Sequence, residues 1–222
     1  MSAKDLKKQN TQQEENKMKK PDEKGGVHVQ GHIKIFDPET KEIFVDKRNA
    51  IHFENISEAM ANMLANKSTG FIHEMHFGNG GTSVDPTGLI TYLPANNTGV
   101  NSDLYNQTYY KVVDDTSSLN TDPARNKMTI RHTVGQVYTD ILVSCLLDYG
   151  EPSGQQAFDN STDLEGDFVF DELGLKSWTG EAGQGKLLTH VVFHPVQKSL
   201  NRLIQIDYTV RIQTLTNLGD IT

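Results

Sequence analysis

The stretch Leu203-Ile204-Gln205-Ile206-Asp207-Tyr208-Thr209-Val210-Arg211-Ile212 decides the fold class. Successive side chains of a strand point to opposite faces. Ile204, Ile206, Tyr208, Val210 and Ile212 therefore share one face, and Leu203, Gln205, Asp207, Thr209 and Arg211 the other. A period of two over ten residues predicts a half-buried strand. The same alternation opens at Val27, where Val27, Val29, Gly31, Ile33 and Ile35 oppose His28, Gln30, His32 and Lys34. Asp37-Pro38-Glu39-Thr40 places proline at the second position of a turn, and Ile43-Phe44-Val45 begins a return strand, so the pair reads as a hairpin.

Further strands are predicted over Phe71–Phe77, Tyr109–Val113, Lys127–Val134, Val137–Leu147, Phe168–Leu175 and Leu187–Phe193, separated by Gly, Pro, Asn and Asp. One helix interrupts them. Asn55 is placed to cap it, with Glu58 three residues on, and Ile56, Met60, Met63 and Leu64 share a face at helical spacing. The helix is expected to end by Gly70. The pattern predicts a mainly β protein: a β-sandwich or barrel-like core with one short packed helix.

Two segments depart from it. Residues 1–26 are dominated by Lys, Gln, Glu and Asn, a composition that predicts a disordered, flexible arm. Residues 27–222 then form a single β-rich domain. Within it Thr82–Gln107 is a polar loop rich in Gly, Pro, Asn and Thr, of a length that is uncommon unless functional. It is read as an interaction loop.

The net charge of −8 argues against nucleic acid as a partner, because phosphate contacts need clustered Lys and Arg. No segment carries the roughly 18 apolar residues of a membrane span. The one cysteine, Cys145, sits in the apolar run Ile141–Leu147 and reads as an inert core thiol.

Catalytic and metal motifs fare poorly. His28 and His32, like His190 and His194, would lie about 13 Å apart on a strand, and His73 and His76 are expected on opposite faces. The spacing thus supplies no metal site. Gly78-Asn79-Gly80-Gly81-Thr82-Ser83 lacks the Gly-Lys-Ser/Thr ending of a phosphate loop and reads as a tight turn. The close carboxylates Asp114-Asp115, Asp163-x-Glu165 and Asp171-Glu172 read as solvated acids, since paired-acid chemistry needs a cleft and one raised pKa. Trp178, between strands, reads either as a stacking surface for a sugar or protein neighbour or as a plug under a loop. No enzyme, cofactor or metal is expected.

Several segments together resemble small virion proteins of tailed phages. Phe36–Thr40 through Val45–Ile51, followed by a short helix, is similar to their opening hairpin. Met75–Thr82 looks like their glycine turn, Phe170-Asp171-Glu172-Leu173-Gly174-Leu175 like a later strand, and Tyr208–Gln213 like the closing one. The resemblance implies a structural component of the virion, made in the host cytoplasm and assembling in the neck or tail region with other virion proteins and as a homo-oligomer. Capsid decoration, or a receptor- or glycan-binding module of a fibre, is the alternative. It implies no catalytic residue. Candidate interface residues are Lys7, Lys8, Lys19 and Lys20 in the arm, Asp85, Leu93, Asn97 and Tyr105 in the loop, and Trp178.

Overall fold

The computed structural model describes residues 25–152 and 167–215. The predicted arm, with Lys7, Lys8, Lys19 and Lys20, lies outside them except for Gly25 and Gly26, as do Asp163 and Glu165. Val29–Ile212 forms one compact unit.

The described residues form eleven strands and one helix: β1 (Gly26–Phe36), β2 (Ile43–Ile51), α1 (Phe53–Leu64), β3 (Ile72–Gly78), β4 (Thr82–Val84), β5 (Ile90–Tyr92), β6 (Gln107–Val112), β7 (Lys127–His132), β8 (Tyr138–Leu147), β9 (Asp167–Ser177), β10 (Thr189–Ser199) and β11 (Ile204–Leu215). Nine of the strands make one sheet in the order β6-β3-β9-β10-β2-β1-β11-β8-β7. The sheet curls into a half-barrel. Of the two predicted architectures, the barrel-like one is therefore realised. The curl brings strands from opposite ends of the order together: Lys111 Nζ on β6 donates to the Leu146 carbonyl on β8 at 2.8 Å.

The alternation on β11 is realised residue by residue. Ile204, Ile206, Tyr208 and Val210 are buried, while Gln205, Asp207, Thr209 and Arg211 are only half-buried. They join Ile33 and Ile35 of β1, Val143, Cys145 and Leu147 of β8, and Phe170, Leu173 and Leu175 of β9 in one core. Each such side chain contributes about 1.5–3 kcal/mol by leaving water. Burial pushes the Cys145 thiol up to about 12, the reverse of what a nucleophile needs. The β1–β2 hairpin forms as expected, and the Asp37 carboxylate closes its turn by accepting from the Glu39 and Thr40 amides at 2.8 and 3.0 Å.

The helix ends before Gly70 as expected but differs in its cap and in one core position. Its cap is His52, whose Nδ1 accepts the Asn55 amide, while Asn55 is buried and donates from Nδ2 to the Leu187 carbonyl. Leu64 is 87% exposed and Ala59 takes its place in the core. The helix stops at Leu64, and Asn66 just beyond it turns the chain at φ 53°. Between α1 and the sheet is an apolar cavity of about 180 Å³, lined among others by Ile56, Met60, Met128, Ile141 and Val210.

The predicted polar loop also differs, because it carries its own strands. β4 and β5 form a hairpin pairing Thr82 with Tyr92 and Val84 with Ile90. Its tip is built by Asp85, which accepts from the amides of Thr87 and Leu89 and from the Thr87 hydroxyl.

Where β9 passes closest to its neighbours it needs glycine. A Cβ on Gly174 would stand 2.7 Å from the Thr189 carbonyl oxygen and 2.6 Å from Leu187 Cδ1. Backbone cannot move aside cheaply, so Gly174→Ala should lose about 1–3 kcal/mol, read as a lower urea midpoint with an unchanged slope.

Candidate functional site

The residues with most chemistry cluster on β3, β9 and β10, and each is tied to a piece of loop. β3 is buried along its whole length and lies between β6 and β9. Its register with β9 runs from Ile72 opposite Ser177 to Gly78 opposite Glu172. The glycine turn that follows it meets the acid pair of β9.

Asp171 and Glu172 are both buried, which overturns their reading as solvated acids. Asp171 accepts from the Gly81 amide at 2.9 Å, the Thr82 amide at 2.8 Å and the Thr82 hydroxyl. Glu172 accepts at Oε1 from the amides of Gly80 (3.1 Å) and Asn106 (2.8 Å), and at Oε2 from the Tyr105 amide (2.9 Å) and His190 Nε2 (3.0 Å). The glycine run is therefore a turn clamped by carboxylates. Close approach explains its composition: a Cβ on Gly80 would lie 2.7 Å from the Asn106 nitrogen, and one on Gly78 2.5 Å from the Asn106 carbonyl oxygen.

The two acids respond oppositely to this setting. Burial pushes the Asp171 carboxyl up, and its hydrogen bonds only partly offset that. For Glu172 burial is again the largest influence, but His190 and the Asn106 and Tyr105 amides outweigh it and hold the carboxyl below its ordinary value. The opposed shifts are the electronic half of an acid–base pair. The geometric half is missing, because the named oxygens of both groups already accept hydrogen bonds from the loop.

A second cluster sits at the other end of β3. The register with β9 shifts between Ile72 and Glu74, so His73 is an extra residue on its strand. In consequence His73 and His76, expected on opposite faces, both reach Glu74: His73 Nδ1 at 3.2 Å and His76 Nε2 at 2.7 Å. The Gly183 amide donates to both Glu74 oxygens. Burial is the largest influence on Glu74, yet these donors hold it below its ordinary value; burial pushes His76 down. His73 also meets the Ser117 hydroxyl at 3.1 Å. Among the described residues no three His, Cys, Asp or Glu side chains group as metal ligands.

The loop from β4 to β6 is anchored along its length. Leu93 N donates to the Gly81 carbonyl, and the Tyr105 hydroxyl to the Pro94 carbonyl. The Asn96 amide donates to His190 Nδ1 at 2.7 Å, and His52 Nε2 to the Gly99 carbonyl at 2.9 Å. Buried Lys176 reaches Asp103 and the Gln107 side chain. The outward side is apolar in several places: Val84, Leu89 and Tyr92 are each at least half exposed, and Leu93, Val100 and Tyr105 follow closely.

Of the predicted contact residues, Asp85, Leu93, Asn97 and Tyr105 stand on this one segment. Asp85, Leu93 and Tyr105 are exposed, and Asn97 is half-buried. Trp178 is elsewhere. It follows β9, six residues or about 20 Å along the strand from Glu172, half-buried and packed against His73, the two rings tilted at 48° with centroids 4.3 Å apart. The plug reading fits it, and it shares no aromatic cluster with Tyr105. Comparison with known proteins finds no match. No family model, curated protein or solved structure is similar to this chain.

Sequence reasoning missed Asp171, Glu172, His190, His52 and Lys176 as anchors. One signal was present: two acids inside the apolar strand Phe168–Leu175 must be buried, and buried charge demands partners.

Glu172→Gln should cost about 2–4 kcal/mol in urea denaturation, since an amide NH₂ would oppose N–H donors. Glu172 and Glu74 are held below the ordinary 4.5, so the unfolded chain binds the extra protons just below that pH. Their contribution is complete above pH 4.5 and is lost as pH falls through the folded values. Asp171 acts in the opposite sense. A denaturation series over pH should show stability declining below about 4.5 in the wild type and a shallower decline in the glutamine variant.

Proposed function

We propose that this chain is a non-enzymatic structural protein that works by docking to other copies and other proteins through the 82–107 loop, called the docking arm, or simply the arm, from this point. The single observation that carries the reading is the combination found there. Exposed Val84, Leu89, Tyr92 and Leu93 stand on a segment whose backbone is hydrogen-bonded to the buried side chains of Glu172 and His190 at Gly80, Asn96 and Tyr105. Apolar surface that is ordered in advance binds at a smaller entropic cost. Each rotamer-rich side chain that need not be immobilised saves about 0.5–1.5 kcal/mol, and aromatic and aliphatic anchors supply most of the energy of an interface.

The narrower reading is a virion component of a tailed phage, in the neck or tail region. It is supported by the ordered likeness of the opening hairpin, the glycine turn and the Phe170–Leu175 strand. The interlocking of that turn with that strand through Asp171 and Glu172 gives the two motifs a shared structural purpose. Capsid decoration calls on the same arm. A glycan-binding module would need clustered aromatics, and Trp178 is committed to His73.

Light scattering on the full chain should give a mass above one protomer. Val84→Asp with Leu89→Asp, both at exposed positions, should lower that mass while leaving circular dichroism unchanged. A wild-type oligomer whose mass ignores the double substitution would remove the arm from the interface, and a monomer that neither self-associates nor binds a co-expressed virion protein would defeat the proposal.

A further inference from the structure

Two fully buried histidines grip the arm from different elements. His190 on β10 accepts the Asn96 amide at Nδ1 and donates from Nε2 to Glu172. His52, between β2 and α1, accepts the Asn55 amide at Nδ1 and donates from Nε2 to the Gly99 carbonyl. A backbone N–H only donates and a carbonyl only accepts, so these partners specify one tautomer for both rings. The ring is neutral, with the proton on Nε2 and the lone pair on Nδ1. A second proton has only Nδ1 to occupy. There it would point at the Asn96 amide in one ring and at the Asn55 amide in the other, setting donor against donor.

We propose that His52 and His190 form an acid-sensitive latch that holds the middle of the arm, from Asn96 to Gly99, while both rings are neutral and releases it when the rings are protonated. The sign follows from proton counting. The released state binds protons that the latched state cannot accommodate, so latching is favoured as pH rises and weakened as pH falls.

Around His190 the facing groups are Glu172 on β9, which its Nε2 meets at 3.0 Å, and Asp171 beside Glu172 on the same strand. Lys47 and Arg48 of β2 and Tyr92 of the arm line, with His190, a cavity of about 190 Å³. Lys47 is itself engaged by the Val192 carbonyl, and His194 by the Tyr92 hydroxyl. The Tyr105 ring lies 5.8 Å away. Around His52 the flanking groups are Asn55 and Glu54 of the first turn of α1. On the arm itself Asp103 pairs with Lys176, a contact that imidazole titration leaves in place. The latch therefore frees the middle of the segment, from Asn96 to Gly99, while its later end stays tethered. The consequence for function rests on the arm being the docking surface: acid would disorder the apolar side chains that dock.

Hydrogen–deuterium exchange corrected for intrinsic rates tests the latch on the full chain, between about pH 7.5 and pH 5.5, the range in which imidazoles change charge. Protection of residues 93–100 should fall about tenfold or more, while β9 and β10 keep theirs. His190→Gln preserves an acceptor for Asn96 and a donor for Glu172, and His52→Asn preserves the helix cap, yet neither titrates. The double variant should keep the segment protected at both pH values. Unchanged protection in the wild type, or an equal loss in the double variant, would overturn the proposal, the latter assigning the effect to the carboxylates. Should the double variant fold poorly, imidazole nitrogen shifts of the wild type decide. Both rings must be Nε2–H tautomers at pH 7.5 and must protonate in step with the loss of Asn96 protection; rings that titrate while the segment stays closed refute the latch. Light scattering at the same two pH values separates the readings: opening without any change in mass leaves the latch standing and removes the arm from the interface.

Discussion

The Glu172 carboxylate is the constraint on which the rest of the arm depends. A carboxylate with no exposed surface is costly unless its oxygens are fully engaged. Here three backbone amides and one imidazole engage them. Those donors come from the two ends of the loop, Gly80 on entry and Tyr105 and Asn106 on exit, and from β10 beside it. One charge thus closes a long excursion of the chain at its root. The entropy of ordering that excursion is offset by satisfying a group the fold had already buried.

From that root the other anchors follow in order. Asp171, next on the strand, holds Gly81 and Thr82. His190, oriented by Glu172, holds Asn96, and Lys176 holds Asp103. The result is a polar underside fixed to the sheet and an apolar outer side facing solvent. Preorganisation is the property that a repeated assembly contact rewards, because copies must dock in one geometry. The histidines add a condition to it, since their grip depends on charge state as well as shape.

The fold was legible where the physics is local. Alternation at 203–212 and 27–36 marks strands because a sheet surface has a period of two, and the structure places both in the sheet core. The start of α1 was misread because an imidazole took the cap that Asn55 suits by preference. The anchors were harder. Glu172 meets Gly80 and Asn106 across 92 and 66 residues, and no neighbouring residue reports such a pairing. His73 and His76 were assigned to opposite faces by a rule that a single extra residue on β3 reverses. Asp85, Leu93 and Tyr105 were legible as exposed loop positions, whereas Trp178 was grouped with them only by residue type.

The most direct test of the central claim is ¹⁵N relaxation of the arm amides at neutral pH. If buried carboxylate and imidazole hold the segment, Gly80, Asn96, Tyr105 and Asn106 should show order parameters near the roughly 0.85 of a rigid backbone, matching β9. Values below about 0.6 at those amides, with β9 rigid, would mean that the hydrogen bonds to Glu172 and His190 do not persist in solution, and the account of an ordered docking arm would fall with them.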